Sequence, residues 1–162
     1  MKIIVLSDTH IPGRAKDLPE EVYVQIKGAD LLIHAGDITS LAFFKKLGKL
    51  NKEIKAVQGN MDEPALKDIL PARQLINIGG FSIGITHGGG SPFGLMDWCE
   101  KEFQKENPNV IIFGHSHKPF NGYRGKTLFF NPGSPTDKIF SPINSYGMIT
   151  INDKIEAKII NV

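Results

Sequence analysis

A chain of 162 residues is the length of one ordinary domain, and with Cys99 as its single cysteine it holds no internal disulfide, so apolar burial must supply the core of one domain spanning 1–162. Nineteen Lys and Arg against seventeen Asp and Glu leave a formal charge of +2, which excludes the strong basic field of a dedicated nucleic-acid binder. Only Ile3 to Leu6 separate Lys2 from Ser7, too short a run for an export signal. No stretch approaches the ~20 apolar residues of a membrane span, so a cytoplasmic protein without a membrane partner is expected.

Ile3 to Leu6, Leu31 to Ile33 and Ile54 to Val57 are short β-branched runs closed by polar residues or glycine, and they read as buried strands. Glu20 to Ile26, Leu41 to Leu50 and Ala65 to Leu70 carry helical spacing between and after them, which predicts a βαβαβ start. Leu75 to Ile78 and Phe81 to Ile85 flank Gly79-Gly80, a hairpin signal that makes the sheet mixed. Ser91-Pro92 predicts an N-cap followed by proline at the first helical position, opening a helix whose Leu95, Met96, Cys99 and Phe103 share a core face. Val110 to Phe113 is a further buried strand. Alternation at Ile149, Ile151, Ile155, Ala157 and Ile159 around Asn152-Asp153 predicts a closing hairpin with one buried face.

Polar residues fall where strands end. Asp8 and His10 follow the first strand, Asp37 the second, Asn60 the third, His87 the hairpin strand, and His115 and His117 the strand Val110 to Phe113. In open α/β sheets such ends gather at one ligand-binding edge. Imidazoles, carboxylates and an amide oxygen together suit Mn, Fe, Co, Ni or Zn better than Ca or Mg. The i, i+2 pairs Asp8-Thr9-His10 and His115-Ser116-His117 would present both members from an extended loop. Gly36, Gly59, Gly88 and Gly114 adjoin these positions, where the backbone must turn tightly or approach a metal closely.

Asp8-Thr9-His10, Gly36-Asp37, Gly59-Asn60-Met61-Asp62, His87-Gly88 and Gly114-His115-Ser116-His117 together resemble the ordered motifs of the calcineurin-like metallophosphoesterases. With Asn131-Pro132-Gly133-Ser134 and the short chain, the resemblance extends to the small stand-alone prokaryotic phosphodiesterases, which share their fold with a scaffold subunit of the eukaryotic retromer coat. It implies an α/β fold, a four-layer α/β/β/α sandwich of two mixed sheets flanked by helices. It also implies two divalent first-row metals, with Mn or Ni favoured. One would take Asp8, His10 and His117 and the other Asn60, His87 and His115, with Asp37 bridging both and positioning an attacking hydroxide. Asn60 and His87 would also face the substrate, a small phosphate ester or nucleotide.

The chain departs from the family pattern at Met61, where many members carry a His that protonates the leaving group; a thioether donates no proton. Asp62 is expected to orient neighbouring groups, and esters with good leaving groups are expected to react best. Arg14 is a candidate for a bidentate phosphate contact, set against its ordinary reading as a solvated loop arginine. His34 is read as a buried, hydrogen-bonded ring outside the ligand set. Asn131 to Ser134 reads as a turn, and Lys45, Lys46, Lys49 and Lys52 as a solvated helix face. Two functional classes remain at this point, a metal-dependent phosphodiesterase or phosphomonoesterase and a metal-binding interaction scaffold, with a homodimer as the base-rate assembly.

Overall fold

A computed structural model describes residues 1–91, 93–141 and 143–162. Its elements run β1 (Lys2–Leu6), α1 (Glu20–Lys27), β2 (Leu31–His34), α2 (Leu41–Leu50), β3 (Ile54–Ala56), α3 (Pro64–Lys67), β4 (Arg73–Ile78) and β5 (Phe81–Thr86). They continue with α4 (Leu95–Glu102), β6 (Val110–Ile112), β7 (Phe120–Arg124), β8 (Thr127–Asn131), β9 (Ser145–Ile151) and β10 (Ile155–Asn161). The strands form two five-stranded mixed sheets, ordered β10-β9-β1-β2-β3 and β4-β5-β6-β8-β7. Within them β1, β2 and β3 are parallel, as are β5, β6 and β8, while β9, β10, β4 and β7 run antiparallel to their neighbours.

Alternation along each strand makes the layers. Ile3, Val5 and Ile33 point toward Ile83, Ile85, Val110, Ile112 and Phe130 of the other sheet, forming the core between the sheets. Ile4, Leu6 and Leu32 point the opposite way, under Val22 and Ile26 of α1, Phe43 and Leu47 of α2 and Leu66 of α3. Ile111 and Phe129 face outward from the second sheet onto Leu95, Cys99 and Phe103. Burial on both faces is why these strands are continuous apolar runs, and the result is the four-layer α/β/β/α sandwich.

Three local expectations are corrected. Helix α4 begins at Leu95, not at Ser91: Gly94 caps it at φ 81°, and the Ser91 hydroxyl accepts a local bond from Phe93 N at 3.2 Å. Pro92 lies outside the described residues. Helix α3 is one turn, Pro64–Lys67, shorter than the expected span to Leu70. The β7–β8 hairpin, turning at Gly125 with φ 58°, had no counterpart in the sequence reading. Among the described residues no helix is long and apolar enough to cross a membrane.

Candidate metal centre

Parallel pairing sets the carboxyl ends of β1, β2 and β3 along one edge of the first sheet, and those of β5 and β6 along the facing edge of the second. All seven sequence-derived ligand candidates emerge there. Backbone bonds hold the loops in register: Asp8 N donates to Gly36 O (3.0 Å), His10 N to Asp37 O (3.0 Å) and Gly114 N to His87 O (3.1 Å). The two edges are stitched together by His115 N, which donates to Asp8 Oδ2 at 3.1 Å, and by the His87 ring, whose Nδ1 meets Ala35 O at 2.8 Å.

The side chains converge. His10 Nε2 lies 3.3 Å from His117 Nε2, and His117 Nε2 lies 3.3 Å from Asp8 Oδ1. Asn60 Oδ1 sits 3.1 Å from both His87 Nε2 and His115 Nδ1. Between these groups, Asp37 Oδ2 is 3.5 Å from His10 Nε2 and 3.4 Å from His87 Nε2. Ligand atoms of Asp8, His10 and His117 all lie within 4.8 Å of one another, as do those of Asp8, Asp37 and His87, so Asp8 borders both halves.

The loops are not extended. Asp8, His10, Asp37, His115 and His117 have φ between 45° and 67°, in the left-handed region that non-glycine residues seldom enter. Each such residue costs on the order of 1 kcal/mol, and this strain concentrates where function over-determines geometry. Left-handed residues at both ends of each i, i+2 pair curl the chain and aim both side chains inward. Thr9 and Ser116 bond away from the centre, to His34 Nε2 (3.1 Å) and to Asn131 Nδ2 (3.1 Å). Gly59 serves close approach: a Cβ there would fall 2.2 Å from Asp37 N and from Asp37 Oδ1.

Charge follows burial and pairing. Burial raises the Asp8 carboxyl above its usual range against the pull of His87 and His117. Burial also works to raise Asp37, but the hydrogen bond and charge of His87, with Met61 N, bring it down to about 2. His10 is pushed by burial to about 4, and His34, fully buried, to about 3. His87 is likewise penalised by burial, yet Asp37 and Asp8 carry it up to about 9.

The sequence reading missed Asp137. Its buried carboxylate Oδ2 takes His117 Nδ1 and Arg14 NH1, the latter at 2.6 Å, while Oδ1 accepts from Ile139 N at 2.8 Å. No motif marks an Asp twenty residues from the histidine it holds; only the fold brings the two together. Asn131 to Ser134, expected as a turn, leaves the end of β8 through a side-chain bond, Gly133 N donating to Asn131 Oδ1 (2.9 Å), and acts as a brace: Asn131 Nδ2 donates to Gly114 O (2.9 Å) and Ser134 Oγ to Asp8 O (2.7 Å). Arg14 is an exposed loop residue, as its ordinary reading expects, and it also pairs with Asp137 and lies 5.0 Å over the Phe140 ring. Asp62 is buried and spends both oxygens on backbone amides, Thr39 N at 2.6 Å and Gly59 N at 2.7 Å. Met61 is 59% exposed beside the centre.

The donor set fits divalent cations. Two imidazole nitrogens facing each other at 3.3 Å beside a carboxylate form a poor set of mutual hydrogen bonds and a good cation cage. The outward nitrogens of His87 and His117 are already taken by Ala35 O and Asp137, the arrangement that fixes tautomer and ring orientation in metal-binding histidines.

Comparison with known proteins agrees. Residues 1–154 match the calcineurin-like phosphoesterase superfamily domain. The chain is 36% identical to a probable metallophosphoesterase of Methanocaldococcus jannaschii, over all of this chain and 82% of that protein. A solved structure described as a novel archaeal phosphodiesterase is 26% identical, with TM-score 0.77 and 100% of both chains covered. Wild-type Vps29 of Entamoeba histolytica, solved with Zn2+, has TM-score 0.80 over 99% of each chain at 24% identity, a likeness of fold. A fold, a motif order and a converging donor set thus lead to one assignment: the chain belongs to the calcineurin-like phosphoesterase superfamily.

Proposed function

We propose that the protein is a dinuclear metal-dependent phosphodiesterase, acting on a small phosphate ester or nucleotide in the cytoplasm. The observation that carries this is the placement of Asp37 Oδ2 between His10 Nε2 and His87 Nε2, at 3.5 and 3.4 Å, with ligand candidates complete on either side. Asp8, His10 and His117 would hold one ion and Asn60, His87 and His115 the other, with Asp37 shared. Two bound divalent ions supply a nucleophile at neutral pH and stabilise the charge that develops on the phosphoryl group.

The chain's own residues set the rest. Asp8 and Asp37 are the only anionic members of the seven, so the loaded centre keeps a surplus of positive charge toward a phosphate. Asp137 holds the His117 ring with Nε2 inward, and Ala35 O does the same for His87. Asp62, 4% exposed and not among the residues lining the cleft, holds the Gly59 turn and Thr39 with one oxygen each, an orienting role away from the leaving group. Met61 has no proton to give. The leaving group therefore departs without protonation from either residue, which favours acidic leaving groups.

Metal stripped by chelator and returned as Mn, Ni, Co, Zn or Mg tests the reading. Bis(4-nitrophenyl) phosphate should turn over faster than 4-nitrophenyl phosphate, only with metal, with at least a ~100-fold loss of kcat/KM in Asp37→Ala and His87→Ala. The likeness to Vps29 and the missing donor at Met61 support a second reading, a metal-binding scaffold. Metal binding with no turnover of either ester would favour it, and faster monoester turnover would favour a phosphomonoesterase.

A further inference from the structure

Five of the twelve exposed large apolar side chains among the described residues, Met61, Phe93, Phe120, Ile139 and Phe140, line one cleft. Its volume is about 1010 Å³, and its lining also includes His10, Asp37, Asn60, His115 and His117. Single exposed apolar residues need no explanation, but their collection around one cleft does. Phe93 is 93% exposed and contributes nothing to the core. The volume is at the top of the ~300–1,000 Å³ range of sites for whole small organic molecules, far more than a phosphate group fills.

Phe140 is also held relative to the centre. Asp137 Oδ1 accepts from Phe140 N at 3.4 Å while Oδ2 holds His117. The Phe140 ring stands edge-on to the His117 ring, centroids 6.0 Å apart, and lies 5.0 Å under the Arg14 guanidinium. One carboxylate therefore positions both a ligand candidate and an aromatic surface beside it. At Met61, the position of the absent proton donor, the chain supplies an exposed, polarisable thioether to the same cleft.

We infer that this cleft is a subsite for a planar aromatic substituent of the phosphate ester, an aryl ring or nucleobase, with Phe93, Phe140 and Met61 as its apolar walls. The inference rests on the phosphodiesterase reading for where the phosphorus sits. Aromatic surfaces bind any planar π-face by stacking, so the subsite selects a class of substituent and not a base sequence.

Calorimetric titration of the Mn-loaded protein with phenylphosphonate and with methylphosphonate compares the substituents without turnover. Inhibition of bis(4-nitrophenyl) phosphate hydrolysis by the same two phosphonates repeats the comparison during turnover. Phenylphosphonate should be favoured about tenfold, in Kd and in Ki, and Phe93→Ala and Phe140→Ala should each move that ratio toward one. Phe93 lies outside the core, so its substitution tests the wall even if Phe140→Ala folds poorly. Turnover without aryl preference, or a preference neither substitution moves, overturns the subsite and leaves the enzyme reading standing. Aryl-selective binding without turnover of any ester upholds the subsite and overturns the enzyme reading. Failure of both phosphonates to bind overturns the subsite as well.

Discussion

At the scale of single residues, His87 gives the sharpest expectation. Metal-free, it sits against Asp37 and Asp8 with its pKa up to about 9, whereas a cation needs the neutral ring. Metal binding at pH 7.5 should therefore release about one proton from His87, and less as the pH passes 9. His10, already pushed by burial to about 4, has none to release. Titrating metal in buffers of different ionisation enthalpy reads the number directly. The sign for stability follows: with its folded pKa above the ordinary 6.5, the His87 contribution to the chelated protein is full below pH 6.5 and is lost as pH rises through about 9. The seven ligand candidates were legible because residue type and strand-end position are both written in the chain. Asp137 was not, because its role depends on a hydrogen bond to His117 that neighbouring residues do not announce.

At the scale of elements, the loops after β1, β2, β3 and β6 are shaped by close contact as much as by their ligands. Gly59→Ala would place a Cβ 2.2 Å from Asp37 N, so the β2 and β3 loops must part. Metal affinity should fall at least tenfold, with a stability loss of about 1–3 kcal/mol. Gly48, on the exposed side of α2 with nothing within 4 Å of its built Cβ, is the control: Gly48→Ala should stabilise by about 0.5–1 kcal/mol. Metal titration and chemical denaturation of both variants check the contrast. Most elements were readable from apolar runs, because strands such as β1 and β6 are buried on both faces. The β7–β8 hairpin escaped because β7, Phe120–Arg124, is a largely solvent-facing edge strand without alternation. Leu128-Phe129-Phe130 after Gly125 was the available signal. The start of α4 was misplaced because Ser91 completes a turn with its own neighbour, Phe93, instead of capping a helix.

At the scale of the whole molecule, the centre lies on the seam between the sheets: Asp8, His10, Asp37 and Asn60 come from one, His87, His115 and His117 from the other. A bound cation would tie the two sheets together. Metal at 100 times its Kd should stabilise by about 2.7 kcal/mol, raising Tm by roughly 5–10 °C over the chelated protein. Scanning calorimetry should show the rise in the parent and its absence in Asp37→Ala.

The position of β1 carries a consequence for biosynthesis. It pairs with β2 on one side and β9 on the other, through Ile3↔Leu31 and Ile3↔Ile149. As the nascent chain leaves the ribosome, one edge of β1 waits for a partner that begins only at Ser145. Every metal-facing residue has by then been made, yet the sheet beneath Asp8 is still open. An unpaired apolar edge is a template for mispairing, so β1 presents that hazard throughout the interval before β9 emerges.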